Sequence, residues 1–341
     1  MDIAPDLILD VKGLTKHFPI ERGFLKKVVG HVRAVSDVSF SVKKGETLGL
    51  VGESGCGKTT TARMIMKAVE PTAGSVRFRT DQGVVDMAKV DRRELKAIRR
   101  DMQMIFQDPY SSLNPRMTVQ EIVGEPLGNY GYSAEESKKR VQELLALVGL
   151  NPKYLSRYPH AFSGGQRQRL GIARALALDP SLIVCDEPVS ALDVSVQAQI
   201  LNLLKDLQDE LGLTYLFIAH DLSVIRHICD RVAVMYFGRI VELADTDILF
   251  NNPLHPYTKA LLRAVPDPDP REEWLGGVIC GEIPDPTKEM VGCSFSPRCA
   301  YVQKQCEQIC PQLIDVATQG EQTHQVACHL VAEATGLRKE A

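Results

Sequence analysis

Nine consecutive residues have the composition of a phosphate-binding loop. Backbone N–H groups of a glycine-rich loop can wrap a polyphosphate, because glycine adopts conformations that other residues avoid. Lys58 would neutralise charge on the β- and γ-phosphates, and the hydroxyl of Thr59 would ligate Mg²⁺. The spacing predicts a nucleoside triphosphate site, with an ordinary glycine-rich turn as the alternative. The loop residues are Gly52, Glu53, Ser54, Gly55, Cys56, Gly57, Lys58, Thr59 and Thr60.

Two carboxylates and a histidine follow apolar segments further along the chain. Residues 182–185 are apolar and precede Asp186 and Glu187, and residues 215–219 precede His220. Asp186 would hold Mg²⁺ through water, whereas Glu187 would polarise the water that attacks the γ-phosphate. His220 would sense the γ-phosphate by hydrogen bonding. Surface acids and a structural histidine are the alternatives, and the phosphate loop favours hydrolysis.

The elements that must position these groups alternate between strand and helix. The pattern predicts strands at residues 8–11, 38–42, 47–51, 102–106, 182–185, 215–219, 233–235 and 240–242. It predicts helices at residues 58–69, 133–148, 167–177 and 196–211, the second of them with a capping box of Ser133 and Glu136. A basic insert, residues 21–33, separates the first two strands. This alternation indicates an α/β fold with a mostly parallel sheet.

Composition excludes several classes of protein. The net charge of the 341 residues is -3, which implies no general attraction to nucleic acid. No apolar run reaches about 18 residues, so no membrane-spanning segment is expected. The first 16 residues carry Asp2, Asp6 and Asp10 and lack the features of a secretory signal, so we expect a cytosolic protein.

One further segment resembles a family signature. Phe162 precedes Ser163, Gly164, Gly165 and Gln166, and the five resemble the signature of ABC ATPases, which usually begins with leucine. The resemblance implies that this segment grips the γ-phosphate of ATP bound to a partner subunit. Two subunits would then clamp two ATP molecules between them.

Other positions match the same family in order. Gln107 resembles the Q-loop glutamine, which contacts Mg²⁺ or water and links to the transmembrane subunits. Asp193 ends a segment that resembles the D-loop, which crosses the dimer interface. Phe18 lies where relatives place an aromatic ring against adenine; His17 is a second candidate, and Phe18 could instead belong to the core.

The resemblance implies a domain organisation. An ABC nucleotide-binding domain, residues 1–265, would contain a RecA-like P-loop ATPase core, an antiparallel β subdomain and a helical subdomain at about residues 108–178. A proline-rich linker that begins near Pro266 would lead to a small cysteine-rich extension, residues 266–341.

Three segments, residues 108–115, 158–160 and 252–258, resemble the ATPases of oligopeptide, dipeptide and nickel importers. The insert at residues 23–32 resembles the F-type second ATPase of these importers.

The resemblance implies an assembly of several subunits. The implied partners are a second homologous ATPase in a heterodimer, two permeases and an extracytoplasmic solute-binding protein. This chain would be peripheral, on the cytoplasmic side of the inner membrane. Tyr110, Leu113 and Met117 would help form the groove for a permease helix. Nickel chelates, opines and oligosaccharides are alternative solutes, and a soluble ABC protein or a non-catalytic scaffold are alternative classes.

Six of the nine cysteines lie in the last 62 residues. By resemblance to the family's C-terminal extension, four of them are candidate ligands of a [4Fe–4S] cluster, which needs four thiolates. Zinc and free or disulfide-bonded thiols are alternatives, and Cys310 leaves the choice of ligands open. The four candidates are Cys293, Cys299, Cys306 and Cys328.

Overall fold

A computed structural model describes residues 3–24, 26–108, 110–264, 281, 284–288, 290–317 and 323–336. Its strands in chain order are β1 (Leu7–Arg22), β2 (Lys27–Lys43), β3 (Thr47–Val51), β4 (Ala73–Thr80), β5 (Gly83–Asp86), β6 (Met102–Ile105), β7 (Leu182–Asp186), β8 (Thr214–Ala219), β9 (Arg231–Tyr236), β10 (Arg239–Asp245), β11 (Ile314–Asp315) and β12 (His324–Val326). Its α-helices are α1 (Lys58–Ile65), α2 (Arg92–Asp101), α3 (Val119–Asn129), α4 (Ala134–Leu147), α5 (Gly164–Ala175), α6 (Val194–Leu211), α7 (Leu222–Ile228), α8 (Thr246–Asn251), α9 (Pro256–Arg263) and α10 (His329–Ala334).

The larger sheet has the strand order β11-β12-β10-β9-β3-β8-β7-β6. Its five strands from β9 to β6 are parallel, and β10, β11 and β12 pair antiparallel at one edge. Every residue of β3, β7, β8 and β9 is buried, as expected where a parallel sheet is covered on both faces. The carboxyl ends of these strands therefore meet along one edge, where the sequence places its polar groups.

The smaller sheet is antiparallel, with the order β2-β1-β4-β5. Its apolar face packs with α1 and one face of the larger sheet in a shared core that includes Leu9, Val38, Met64 and Phe78. A second core joins the other face of the larger sheet to α3, α4 and α5. The predicted α/β fold, with a parallel core, an antiparallel sheet and a helical region, is confirmed.

Most predicted elements are present with small shifts. The helix predicted at residues 133–148 is α4, which begins after Ser133 with the predicted capping box to Glu136. The helix predicted at residues 58–69 is shorter, because α1 ends at Ile65 and Lys67 has a left-handed φ of 49°. The sequence analysis does not predict strands β4, β5, β11 and β12 or helices α2, α3, α7, α8, α9 and α10.

The basic insert is part of a long hairpin formed by β1 and β2. The prediction that residues 21–33 separate the first two strands is therefore wrong. Strand β1 extends into the insert to Arg22, strand β2 begins within it at Lys27, and these two residues pair. Phe24 at the tip is fully exposed. Within the described part of the chain, no helix is both long and apolar enough to cross a bilayer. The predicted linker from Pro266 lies outside the described residues.

Candidate nucleotide site

The phosphate-binding loop joins β3 to the first turn of α1. Gly52 has a φ of 152°, and a Cβ atom there would lie 2.0 Å from the carbonyl oxygen of Met235. Gly57 has a φ of 109°, and a Cβ atom there would lie 2.4 Å from the carbonyl oxygen of Ala34. Only glycine fits at these two positions, so the loop holds its backbone close to β2 and β9 and directs the start of α1 toward a phosphate.

The ammonium group of Lys58 lies inside this loop. Its Nζ atom donates to the carbonyl oxygens of Gly52, at 2.7 Å, and of Glu53, at 3.1 Å. The residue is 5% exposed. A buried ammonium next to the free N–H groups of a helix N-terminus favours an anion, and phosphate oxygens can take the place of the carbonyl acceptors.

Thr59, predicted to ligate Mg²⁺, lies next to Asp186, predicted to hold the ion through water. The Thr59 hydroxyl donates to Oδ1 of Asp186 at 3.1 Å. Burial at the end of β7 raises the pKa of Asp186, and the hydrogen bond from Thr59 opposes that change. A hydroxyl and a carboxylate at this distance, beside a phosphate loop, are oxygen donors of the kind that Mg²⁺ prefers. The residues present therefore fit a magnesium ion.

The three predicted catalytic residues converge on one oxygen atom. Oε2 of Glu187 accepts a hydrogen bond from Nε2 of Gln107 at 2.9 Å and lies 3.0 Å from Nδ1 of His220. These residues follow β7, β6 and β8, three neighbouring parallel strands. Glu187 has a φ of 48°, a left-handed conformation that costs about 1–3 kcal/mol in a residue with a side chain. Strain of this kind is typical of functional sites.

A small cavity of about 60 Å³ lies beside this carboxylate. Glu187, Ser190, Gln197, His220 and Asp221 are among the residues that line it. Apolar residues complete the lining, and the cavity is large enough for water next to the Glu187 carboxylate.

The predicted ABC signature, residues 162–166, lies at the start of α5. The Ser163 hydroxyl accepts from the N–H of Gln166 at 3.4 Å, and the Gln166 side chain accepts from the N–H of Ser163 at 3.1 Å, which completes a capping box. Ser163 is exposed, whereas Phe162 is buried against Tyr154. Among the described residues, no hydrogen bond joins the signature to the phosphate loop of the same chain. The phosphate loop and the signature thus lie at two separate helix N-termini, which we name the first and second anion surfaces because a helix N-terminus favours an anion.

The remaining predicted site residues lie at the surface. Asp193 caps α6 by accepting from the N–H of Val196 at 3.0 Å. The Phe18 ring is 37% exposed, and Nζ of Lys16 lies 5.1 Å from its centroid. Both positions are accessible to a nucleotide or a second subunit.

The loop after Gln107 differs from the expectation. Leu113 is 1% exposed and so faces the core, whereas Met117 is half-buried and packs against the same core. Tyr110, with Arg167 above its ring at 4.3 Å, is 55% exposed, as is Phe106 at 47%. Among the described residues of this loop, these two rings are the exposed large apolar side chains.

Two residues missed by sequence reasoning hold the phosphate loop from outside. The N–H of Glu53 donates to the hydroxyl oxygen of Tyr257 at 2.9 Å, and its Oε2 atom accepts from Nη1 of Arg298 at 2.8 Å. Both residues belong to segments that the family resemblance singled out. Their spacing gave no signal of this contact, because Arg298 is 245 residues from Glu53 in sequence.

The four candidate cysteines line one small cavity of about 20 Å³, but they do not form a metal centre as folded. Burial raises the pKa of Cys293 to about 11 and also raises those of Cys299 and Cys328. Within the described ranges, no three His, Cys, Asp or Glu side chains are arranged to hold a metal ion. The predicted [4Fe–4S] cluster therefore has no support in this arrangement.

Comparisons with known proteins agree with this geometry. The ABC transporter family model matches residues 35–190, and the model for the oligopeptide/dipeptide transporter C-terminal region matches residues 241–306. The chain is 54% identical over 330 residues to the probable peptide ABC transporter ATP-binding protein y4tS of Sinorhizobium fredii, covering 96% of this chain and 91% of that protein. It is 50% identical to the oligopeptide transport ATP-binding protein AppF of Bacillus subtilis, covering 95% of this chain and 98% of the relative.

Solved structures of ATP-binding cassettes have the same fold. The dimeric cassette MJ0796, in a post-hydrolysis state bound to ADP and phosphate, is 32% identical, with a TM-score of 0.60 over 70% of this chain and 99% of that one. The cassette cbiO1 of Clostridium perfringens is 28% identical, with a TM-score of 0.61 over 72% of this chain and 92% of that one. The chain therefore belongs to the ABC transporter ATPase family, in the group of oligopeptide and dipeptide transporter ATP-binding proteins.

Proposed function

We propose that the chain is the ATP-hydrolysing subunit of an importer of dipeptides or oligopeptides. The observation that carries the proposal is the convergence of Gln107 and His220 on the Glu187 carboxylate, next to a complete phosphate loop. Relatives named as peptide and oligopeptide transport proteins support the choice of solute. Nickel chelates, opines and oligosaccharides are the other solutes that a similar ATPase could serve.

In the proposed reaction, Glu187 accepts a proton from the attacking water and so activates it toward the γ-phosphate. Gln107 holds one oxygen of that carboxylate in place, and His220 hydrogen-bonds the γ-phosphate and the water. Lys58 and the N–H groups at the start of α1 stabilise the charge that develops on the phosphate oxygens. Mg²⁺, held by Thr59 and by Asp186 through water, would supply further charge neutralisation on the β- and γ-phosphates.

The second anion surface supports a dimeric mechanism. Ser163, Gly164, Gly165 and Gln166 would close over ATP bound to a second, homologous ATPase, and the signature of that partner would complete the site at Lys58. Asp193 would lie at the interface, and Phe18 would stack on adenine. The positive end of α5 and the exposed Ser163 hydroxyl support this role.

The subunit would act at the cytoplasmic face of the inner membrane with two permeases and an extracytoplasmic solute-binding protein. We place the ATPase domain at residues 1–265, with a helical subdomain near residues 108–178 and an extension from residue 266. The long β1–β2 hairpin and the similarity to AppF support an F-type subunit in a heterodimer. The exposed rings of Phe106 and Tyr110 support a permease contact beside Gln107.

Uptake tests this proposal directly. Cells or proteoliposomes that carry the complete transporter should accumulate a labelled peptide only when this subunit is active, and Lys58→Ala should abolish both uptake and stimulated ATP hydrolysis. Lys205→Ala, a change of a solvent-exposed lysine on α6, is the matched control. Unchanged peptide uptake with the Lys58→Ala subunit would contradict the proposal, and uptake of a nickel chelate alone would reassign the solute.

A further inference from the structure

We infer that Arg298, in the cysteine-rich extension, is a positioning residue for ATP binding: it neutralises and restrains the phosphate loop's own carboxylate, Glu53. Glu53 occupies the second position of the loop, directly after Gly52. A carboxylate in a loop that must receive a polyphosphate is electrostatically unfavourable unless a cation pairs with it. The inference rests on the proposed function, because it concerns the loop that binds ATP.

Glu53 is held through three of its groups. Its N–H donates to the Tyr257 hydroxyl at 2.9 Å, its carbonyl oxygen accepts from Nζ of Lys58 at 3.1 Å, and its carboxylate accepts from Arg298 at 2.8 Å. Glu53 thus contacts both the Lys58 ammonium, which would bind the phosphates, and the Arg298 guanidinium of the extension. A displacement of the carboxylate would therefore be transmitted to Lys58.

The guanidinium is fixed by its surroundings. The Arg298 side chain is 7% exposed, its Nη1 atom also lies 3.4 Å from the hydroxyl of Tyr236, and its Cζ atom lies 5.8 Å from that ring's centroid. Phe295, three residues earlier, packs on the rings of Tyr236 and Tyr257 with centroid separations of 5.2 and 5.5 Å. This aromatic cluster anchors the extension beside the phosphate loop.

The ion pair of Arg298 and Glu53 is partly buried, with the Glu53 side chain 23% exposed, so removal of one partner would leave the other charge with incomplete compensation from solvent. Loss of the Arg298 charge would leave the Glu53 carboxylate free to repel the phosphates. The repulsion grows with the charge of the nucleotide and falls with added salt. A purely structural contribution of Arg298 would weaken ATP and ADP equally and would be insensitive to the charge on Glu53.

The test is titration calorimetry of Mg-ATP and Mg-ADP with the purified full-length protein, with KM and kcat measured in the assembled transporter. Arg298→Gln should weaken ATP binding about tenfold, equal to about 1.4 kcal/mol, and ADP binding less. The ATP defect should shrink at high salt, and KM should change more than kcat. Arg298→Lys should retain most of the affinity, and Lys304→Gln, at an exposed site of the extension, should have no effect.

The double variant Glu53→Gln with Arg298→Gln should recover ATP affinity, because no unpaired carboxylate remains. Equal ATP affinity in the Arg298→Gln and unmodified proteins, or no recovery in the double variant, would overturn the inference. If Arg298→Gln does not fold, Glu53→Gln alone decides: ATP affinity should be unchanged or higher, and weaker binding would refute the electrostatic role. Lys58→Ala separates the two claims, since ATP hydrolysis and peptide uptake that survive this change would contradict the proposed function itself, whatever the result with Arg298.

Discussion

The hydroxyl of Thr59 donates to Oδ1 of Asp186 across 3.1 Å, which joins the first turn of α1 to the end of β7, 127 residues later. A side chain from the helix that follows β3 and a side chain at the end of β7 thus meet at the carboxyl edge of the sheet. Nucleotide sites of α/β proteins form at this edge because helix N-termini and strand ends converge there.

Removal of the Thr59 hydroxyl should weaken the binding of Mg²⁺ that ATP hydrolysis requires. In Thr59→Val the side-chain shape is retained but the oxygen donor is lost, so we expect the Mg²⁺ concentration for half-maximal ATP hydrolysis to rise about tenfold or more. Thr59→Ser keeps the hydroxyl and is the matched control. A Mg²⁺ titration of hydrolysis by the assembled transporter measures this effect, and identical titration curves for valine and threonine would contradict the assignment.

His220 should affect hydrolysis without affecting nucleotide affinity. Its Nδ1 atom lies 3.0 Å from Oε2 of Glu187, so His220→Ala removes a group that acts at the reacting end of the nucleotide. We expect kcat to fall about 100-fold or more, as for other groups that assist proton transfer, with little change in ATP affinity. His227→Ala is the control, because that exposed imidazole contacts Asn202 on α6. Equal losses in the two variants would indicate a general effect on stability.

The convergence of Gln107, Glu187 and His220 could be predicted from sequence because each follows an apolar strand. Carboxyl ends of adjacent parallel strands meet at one edge, but it was the resemblance to the ABC family that assigned Gln107 to the same site as Glu187 and His220. The capping box of Ser133 and Glu136 was predicted for a different reason: it depends only on residues three positions apart.

Contacts that depend on packing between distant segments could not be predicted. Arg298 reaches Glu53, and His324 of β12 reaches the buried carboxylate of Glu242 on β10, at 2.9 Å. No periodicity encodes these pairs, because each is fixed by how the extension folds back on the larger sheet. The length of the β1–β2 hairpin was missed because charged residues of its tip resemble a loop in composition.

Acidic pH should destabilise the fold through His255. Its imidazole is buried at the start of α9, where Nδ1 accepts from the N–H of Tyr257 at 3.0 Å, and burial lowers its pKa from 6.5 to about 4. The unfolded chain therefore binds more protons than the native chain between these pH values. Stability contributed by neutral His255 is complete above pH 6.5 and is lost as the pH falls toward 4, by up to about 3 kcal/mol.

Urea unfolding at pH values from 7.5 to 4.5 measures how steeply the free energy of unfolding changes with pH. In His255→Asn the side-chain oxygen can still cap α9, but the titrating group is absent, so the free energy of unfolding should depend less on pH in this window. An unchanged pH slope in the asparagine variant would show that other groups cause the acid sensitivity. His160→Asn, at an exposed position, should keep the slope of the unmodified protein.

The central claim is that Glu187 activates the water that attacks ATP. Glu187→Gln keeps the size of the side chain and can still bond to Gln107, but it cannot accept a proton at neutral pH. The direct measurement is hydrolysis and retention of labelled ATP by the transporter assembled with this variant, compared with the unmodified subunit. We predict that hydrolysis at this site falls about 100-fold or more, while ATP remains bound in a closed dimer. A normal rate of hydrolysis at the Glu187→Gln site would contradict the account.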